Sequence, residues 1–166
     1  EGGVEGELDE ARQHLEAQGV EALTVAGDLS DFDSIPGMVD QVMQRFGKID
    51  VLINNAGTSW ATPAEELSRE AWDKVMNLNV DALFYITQEV AKRSMIPNRS
   101  GKIINVASTA GLKGSMRMQT IPYNTSKGAV VNFTRALAAE WGKYNINVNA
   151  ICPGFFPSKL SAGLLE

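Results

Sequence analysis

Short apolar runs alternate with longer amphipathic segments along almost the whole chain, and this alternation determines the class of fold. Four runs have the length and composition of buried β-strands: residues 22–26, 49–53, 103–107 and 147–151. Apolar residues recur at helical spacing in the segments that flank these runs: residues 8–17, 34–46, 68–95 and 123–144. Strands that alternate with helices pair in parallel, and a parallel sheet needs helices on both faces. We therefore predict an α/β fold built on one parallel sheet.

The composition is that of one globular domain with a mildly acidic surface. With 166 residues, 44% of them hydrophobic, the chain can build one core, and we predict a single domain over residues 1–166. Lys and Arg number 15 against 20 Asp and Glu, without a basic run, so we expect neither nucleic acid nor an anionic membrane as a partner. No apolar run approaches the roughly 20 residues of a membrane-spanning helix. The single cysteine, Cys152, cannot form an internal disulfide, and this indicates a reducing cytoplasm.

Tyr123 and Lys127 form the pair of residues that most clearly suggests chemistry. They are four positions apart at the start of a long amphipathic segment, so a helix places both side chains on one face. A phenol has a pKa of about 10, and a nearby ammonium lowers that pKa by favouring the phenolate. Such a phenol can give and take a proton near pH 7, as carbonyl–alcohol redox chemistry requires. The pair alone is weak evidence, because this spacing is common on amphipathic helices.

Other candidate residues follow the predicted strands or interrupt a helix. Ser108 comes directly after residues 103–107, at the strand end where open α/β sheets bind ligands. The small residues of Asn55-Ala56-Gly57 follow the run 49–53, and they allow a ligand to approach the backbone closely. Asn77 and Asn79 lie inside an apolar helical segment, where asparagine has poor helix propensity. We interpret Asn77 as a surface residue and keep Asn79 as a candidate.

The acidic residues after the run 22–26 do not form a recognisable metal site. Asp28, Asp31 and Asp33 are close in sequence, but they lack the glycine and the distal glutamate of a calcium-binding EF-hand loop. We therefore predict no metal site. Ser30 or Asp31 is instead predicted to cap the helix over residues 34–46.

Together and in this order, these residues resemble the short-chain dehydrogenase/reductase family. The resemblance runs from Asp28 to about Leu160 and rests on Asp28-Leu29, Asn54-Asn55-Ala56-Gly57, Asn79, Ser108, Tyr123-x-x-x-Lys127 and Pro153-Gly154. Within the family the chain is most similar to 3-oxoacyl-(acyl-carrier-protein) reductases, including the branch associated with rhamnolipid synthesis, over residues 56–60 and 153–158. The resemblance implies a Rossmann-like, doubly wound parallel sheet in three α/β/α layers.

The resemblance also implies a role for each matching residue. Tyr123 becomes the general acid in reduction and the base in oxidation, and Lys127 lowers its pKa and holds the nicotinamide ribose. Ser108 donates to the substrate oxygen, and Asn79 anchors a water that relays protons to Lys127. The cofactor contacts implied besides Tyr123 and Lys127 are Asp28 and Leu29 at the adenine, Asn55, Ala56 and Gly57 along the adenosine ribose, and Pro153, Gly154 and Phe156 towards the nicotinamide.

The function implied is reduction of a ketone, in first place a 3-oxoacyl thioester, to a secondary alcohol by an NADP(H)-dependent enzyme. NAD(H) is possible, because the residues that choose between the two cofactors in the family have no counterpart in this sequence. A sugar, polyol or small-alcohol dehydrogenase of the same family is an alternative. An alternative from a different class is that the chain is a non-catalytic fragment.

That last alternative arises because parts of the family pattern have no counterpart in the sequence. These parts are the first two strands, the Thr-Gly-x-x-x-Gly-x-Gly phosphate-binding loop and the last strand. In the family the first two strands lie between the counterparts of the runs 22–26 and 49–53. We therefore expect the sequence to be the central portion of a longer chain.

The two long helical segments predict self-association. Apolar residues spread around more than one face of residues 68–95 and of residues 123–144. A helix that is apolar on two faces is usually buried on both, and one face already covers the sheet. We predict a homo-oligomer, in first place a tetramer, with a two-fold contact on these helices, as relatives in the family commonly form.

Overall fold

Three strands form a parallel sheet in the computed structural model, which describes residues 4–114 and 118–154. The strands are β1 (Val51–Asn54), β2 (Gly101–Val106) and β3 (Ile146–Ile151), in the order β1-β2-β3. Helical crossovers connect the strands and both pairings are parallel, so the carboxyl ends of all three strands lie at the same edge of the sheet. The predicted α/β fold with a parallel sheet is confirmed.

Within the described residues, six α-helices accompany the sheet: α1 (Val4–Glu16), α2 (Ile35–Phe46), α3 (Arg69–Met76), α4 (Leu83–Val90), α5 (Ile96–Asn98) and α6 (Ile121–Trp141). Two wider π-helical stretches, Asn77–Ala82 and Ala91–Met95, connect α3, α4 and α5 into one long helical segment. That segment begins at Ser68, whose Oγ accepts a hydrogen bond from the Ala71 main-chain N–H at 3.1 Å. None of the described helices combines the length and apolarity needed to cross a bilayer.

The core lies between one face of the sheet and helices α2, α4 and α6. Its larger cluster combines side chains from all three helices with strand residues: Ile35, Val39, Val90, Met95, Ile103, Leu137, Ile146 and Val148. A smaller cluster at the carboxyl end of the sheet contains Leu83, Ala107, Val130 and Val131. Helix α4 packs against β1 and α6 packs against β2 and β3, and this packing positions the residues described in the next subsection.

The opposite face of the sheet carries apolar side chains that the described residues leave exposed. Val51, Ile53 and Ile151 are 49%, 58% and 51% exposed. Parallel sheets are normally covered on both faces. Apolar side chains on this face are what a second layer of helices would cover, as in the predicted three-layer arrangement.

Two local predictions are wrong. Residues 22–26 form no strand, because a strand needs a hydrogen-bonded neighbour and no described segment pairs with them. Neither Ser30 nor Asp31 caps α2 with its side chain. A short 3₁₀ turn, Phe32–Ser34, precedes α2 instead, and the Ser34 hydroxyl donates to the Asp31 main-chain oxygen at 2.7 Å.

Candidate active site

Tyr123 and Lys127 lie one turn apart near the start of α6, as their spacing predicts. The Lys127 Nζ is 5.6 Å from the centre of the Tyr123 ring and donates to the main-chain oxygen of Val106 at 2.8 Å. Val106 ends β2, so the lysine fixes the first half of α6 against the carboxyl end of the sheet. The residue is only 5% exposed, and this burial lowers the pKa of the Lys127 ammonium from its ordinary value.

Asn79 lies in the first π-helical stretch, and its amide joins three segments of the chain. Its Oδ1 accepts from the Thr58 main-chain N–H at 2.8 Å, and its Nδ2 donates to the Thr58 oxygen and to Ser126 Oγ, both at 2.9 Å. Ser126 precedes Lys127 and in turn donates to the Tyr123 main-chain oxygen at 2.8 Å. Asn79 is 1% exposed, and its hydrogen bond to Ser126 holds it against the turn of α6 that carries Tyr123 and Lys127. Its role as a water anchor stays a prediction.

Gly57 brings the segment after β1 up to these side chains. A Cβ atom built on Gly57 would lie 3.3 Å from Asn79 Oδ1 and 3.5 Å from Lys127 Nζ. Any side chain larger than hydrogen would therefore occupy the space in front of the lysine ammonium. Asn55, Ala56 and Gly57 are all exposed, so their backbone is accessible to a ligand.

Ser108 follows β2 and starts the 3₁₀ turn Thr109–Gly111. Its Oγ accepts from the Ala110 main-chain N–H at 3.1 Å, which leaves the hydroxyl hydrogen free to donate elsewhere. The Thr109 N–H donates to the Pro153 oxygen at 3.0 Å, so the segment after β3 lies against this turn. Pro153 is half-buried, and the adjacent Gly154 is exposed.

Not every predicted site residue joins this cluster. Asp28 is exposed, and its Oδ1 accepts from the Ser30 main-chain N–H at 2.8 Å. Leu29 packs against the larger hydrophobic cluster. Among the described residues, no hydrogen bond links either of them to Tyr123 or Lys127. Phe156 lies outside the described residues, and the cofactor roles of all three stay predictions.

A buried row of polar side chains beneath the site was missed by the sequence analysis. Asn54 Nδ2 donates to Thr87 Oγ1 at 2.9 Å and to Asn105 Oδ1 at 2.8 Å, and Asn105 Nδ2 donates to Thr134 Oγ1 at 2.9 Å. The row connects α4, β1, β2 and α6 at the last residue of β1 and the residue before the last of β2. Buried hydrogen-bonded networks of this kind specify a single arrangement of their elements. The signal that could have found it was Asn54, directly after the predicted strand 49–53, together with Asn105 inside the predicted strand 103–107.

The sequence matches a family model described as short chain dehydrogenase over residues 3–166. It is 39% identical to the gluconate 5-dehydrogenase of Gluconobacter oxydans (strain 621H) over 158 residues, which are 95% of this chain and 60% of that protein. The fold superimposes with a TM-score of 0.91 on an NAD+-bound xylitol dehydrogenase, at 35% identity, covering 99% of this chain and 63% of the other.

A similar superposition is found with an F189W actinorhodin polyketide ketoreductase that contains NADPH. Here the TM-score is 0.91 and the identity 37%, over 98% of this chain and 61% of the other. The chain thus spans about 60% of the length of the relatives that it matches.

Proposed function

The chain belongs to the short-chain dehydrogenase family, and we propose that the natural protein is an NADP(H)-dependent oxidoreductase that interconverts a ketone and a secondary alcohol. The observation that carries the proposal is the cluster at the carboxyl ends of β1 and β2. It places the Tyr123 phenol, the buried Lys127 ammonium, Asn79 and the bare backbone of Gly57 in one small region.

The residues present fit the ribose and nicotinamide end of such a cofactor. Lys127 offers a cation with donors beyond the one used on Val106, and Gly57 leaves the space in front of that cation open. The exposed backbone of Asn55, Ala56 and Gly57 lies at the strand ends, where open α/β sheets hold nucleotides. When bound, the reduced nicotinamide supplies a hydride to the carbonyl carbon.

Tyr123 supplies the matching proton. As hydride reaches the carbonyl carbon, negative charge grows on the carbonyl oxygen, and the phenol O–H transfers its proton there to complete the alcohol. The reverse transfer, from alcohol to phenolate, serves oxidation. The Lys127 ammonium, 5.6 Å from the ring centre, stabilises the phenolate that reduction leaves behind.

Ser108 stabilises the same oxygen. Its Oγ lone pair accepts from Ala110 N–H, so its own hydrogen is the one available for the substrate. A donor aimed at growing charge contributes more in the transition state than in the ground state, and losing one lowers kcat by about 10²-fold or more.

Two substrate classes are proposed. A 3-oxoacyl thioester is the first, supported by the likeness to a polyketide ketoreductase and by the exposed apolar side chain of Leu112, which directly follows the Thr109–Gly111 turn. A sugar acid or polyol is the second, supported by the likeness to a gluconate 5-dehydrogenase and a xylitol dehydrogenase. NADP(H) is preferred, with support from the NADPH-containing ketoreductase, and NAD(H) is the alternative. The proposal includes a cytoplasmic location.

The test follows nucleotide absorbance in the natural full-length protein. The protein is first titrated with NADPH and with NADH to compare their affinities. Reduction is then assayed with either reduced nucleotide and an acetoacetyl thioester, and oxidation with NADP+ or NAD+ and gluconate or xylitol. Tyr123→Phe removes only the transferable proton. It should therefore lower kcat by about 10²-fold or more and leave the nucleotide affinity within about threefold of that of wild type. A wild-type protein that turns over none of these substrates would contradict the proposal and favour a non-catalytic role. Tighter binding of NADH would reverse the cofactor preference.

A further inference from the structure

Asn124 follows Tyr123 directly on the first turn of α6, and its side chain reaches the segment that carries Ser108. Its Nδ2 donates to the main-chain oxygen of Ala110 at 3.0 Å and to that of Lys113 at 3.4 Å. Its Oδ1 accepts from Thr120 Oγ1 at 2.8 Å. Carbonyl oxygens can only accept, so the two of them determine which end of the amide is Nδ2. Thr120 is 5% exposed and holds the other end in place.

Ala110 connects this amide to the serine hydroxyl. Its N–H donates to Ser108 Oγ at 3.1 Å, and its C=O accepts from Asn124 Nδ2. One residue of the 3₁₀ turn thus contacts the Ser108 hydroxyl on one side and the helical turn of Tyr123 on the other. A continuous path of hydrogen bonds thus runs from the Ser108 hydroxyl through Ala110 to the residue that follows Tyr123.

Packing brings the turn close to α6. A Cβ atom on Gly111 would lie 2.5 Å from the carbonyl carbon of Lys127 and 2.7 Å from the nitrogen of Gly128. The turn therefore rests on the helix backbone without an intervening side chain. A van der Waals contact between two stretches of backbone has no directional preference. The hydrogen bond from Asn124 is directional, so it can hold the turn at one position on α6.

We propose that Asn124 is a positioning residue, which holds the Thr109–Gly111 turn on α6 and thereby aligns the Ser108 hydroxyl with the Tyr123 phenol. The inference rests on the proposed function, in which the two hydroxyls act on the same substrate oxygen. Asn124 itself acts only through Ala110. Its substitution should therefore change the rate of the chemical step more than the binding of nucleotide.

A double-mutant cycle tests the proposal in the natural full-length protein. Asn124→Asp keeps the shape and the acceptor for Thr120 but has no N–H for Ala110. It should lower kcat about tenfold or more and change KM for NADPH less than about twofold, since small misplacements of reacting groups are costly. In a Ser108→Ala background the same substitution should lower kcat less than about twofold, because the group that it aligns is gone. Asn124→Ala, which adds no charge, repeats the cycle if the aspartate variant fails to fold.

Thr125→Ala is the matched control, because Thr125 is the next residue of α6 and its side chain is exposed. It should leave kcat within about twofold of wild type. Equal losses from Asn124→Asp in both backgrounds, or no loss in the wild-type background, would overturn the proposal.

Hydrogen exchange separates this inference from the proposed function. The amides of Ala110 and Gly111 in the turn donate to Ser108, and that of Leu112 directly after it donates to Thr109; Asn124→Asp should speed the exchange of all three about tenfold relative to Thr125→Ala. Unchanged exchange would refute the docking role even in an active enzyme. Faster exchange in a protein that turns over no substrate would support the docking role and refute the proposed function alone.

Discussion

At the scale of single residues, Lys127 combines burial with a fixed hydrogen bond. Its ammonium is desolvated, which lowers its pKa, and its bond to the Val106 oxygen persists in the neutral form because an amine still donates. Below the lowered pKa, the folded and unfolded states are both protonated and burial of the charge destabilises the fold. Between that pKa and the unfolded value of about 10.4, only the folded state has lost its proton.

The stability of the protein should therefore rise with pH relative to a variant that cannot titrate at this position. Lys127→Met has a side chain of similar length and no charge. The free energy of unfolding of wild type should rise relative to that of Lys127→Met as the pH increases from 7 to 10. Each pH unit between the two pKa values adds about 1.4 kcal/mol to the difference. Thermal unfolding of both proteins across this range measures it, with Lys102→Met at an exposed position as the control. A difference that stays constant, or shrinks with rising pH, would contradict the prediction.

Residues with a role in a sequence motif were predictable, and residues with a role in packing were not. Tyr123, Lys127, Ser108 and Asn79 were found because their type and order resemble a family, and the structure brings the first two and Asn79 together. The partners of Asn54 lie 33 and 51 positions away in sequence. Its hydrogen bonds depend on how β1, β2 and α4 pack, and no local pattern encodes that.

At the scale of elements, the 3₁₀ turn Thr109–Gly111 and helix α6 form a contact that requires glycine. A methyl group on Gly111 would come within 2.5 Å of the Lys127 carbonyl carbon and 2.6 Å of its oxygen. Helix backbone cannot shift away as a flexible side chain can, so Gly111→Ala must push the turn off α6. We expect destabilisation of about 1–3 kcal/mol, the usual range for overpacking, together with lower kcat through displacement of Ser108.

Thermal unfolding and turnover of Gly111→Ala are compared with those of Gly142→Ala. A Cβ atom on Gly142 meets nothing within 4 Å, so that variant should retain the stability and activity of wild type within experimental scatter. Equal behaviour of the two variants would show that the turn does not rest on α6 as described.

The predicted elements succeeded where the signal was local. The long apolar periodicity of α6 and the runs that became β1, β2 and β3 were located within about three residues of their observed bounds. Residues 22–26 have the same composition as a strand and are not one, because strand formation depends on a neighbour that sequence pattern does not supply. The π-helical stretch around Asn79 was signalled only by the poor helix propensity of asparagine.

At the scale of the whole molecule, α4 and α6 share an aromatic surface that the described chain leaves open. Phe84 and Tyr85 are 41% and 43% exposed, and the Phe84 ring meets the Phe133 ring edge-on at 6.3 Å. Tyr85 also contacts Phe32, with ring centres 5.0 Å apart. Adjacent exposed aromatic side chains on two packed helices favour a contact with another protein surface. Since both helices are present in every copy, a two-fold contact would bury the same residues twice.

We therefore expect the natural full-length protein to be a homo-oligomer, in first place a tetramer, that uses this surface. Phe84→Glu places a charge at its centre and should shift the mass measured by light scattering at micromolar concentration to a smaller species. Phe46→Glu is the matched control, because Phe46 is likewise 41% exposed but lies at the end of α2, and its mass should equal that of wild type. Desolvation of an unpaired carboxylate is what opposes association, so the Phe84→Glu protein should reassociate partly at low pH, where the carboxylate is protonated. A wild-type protein that scatters as a monomer would exclude the contact altogether.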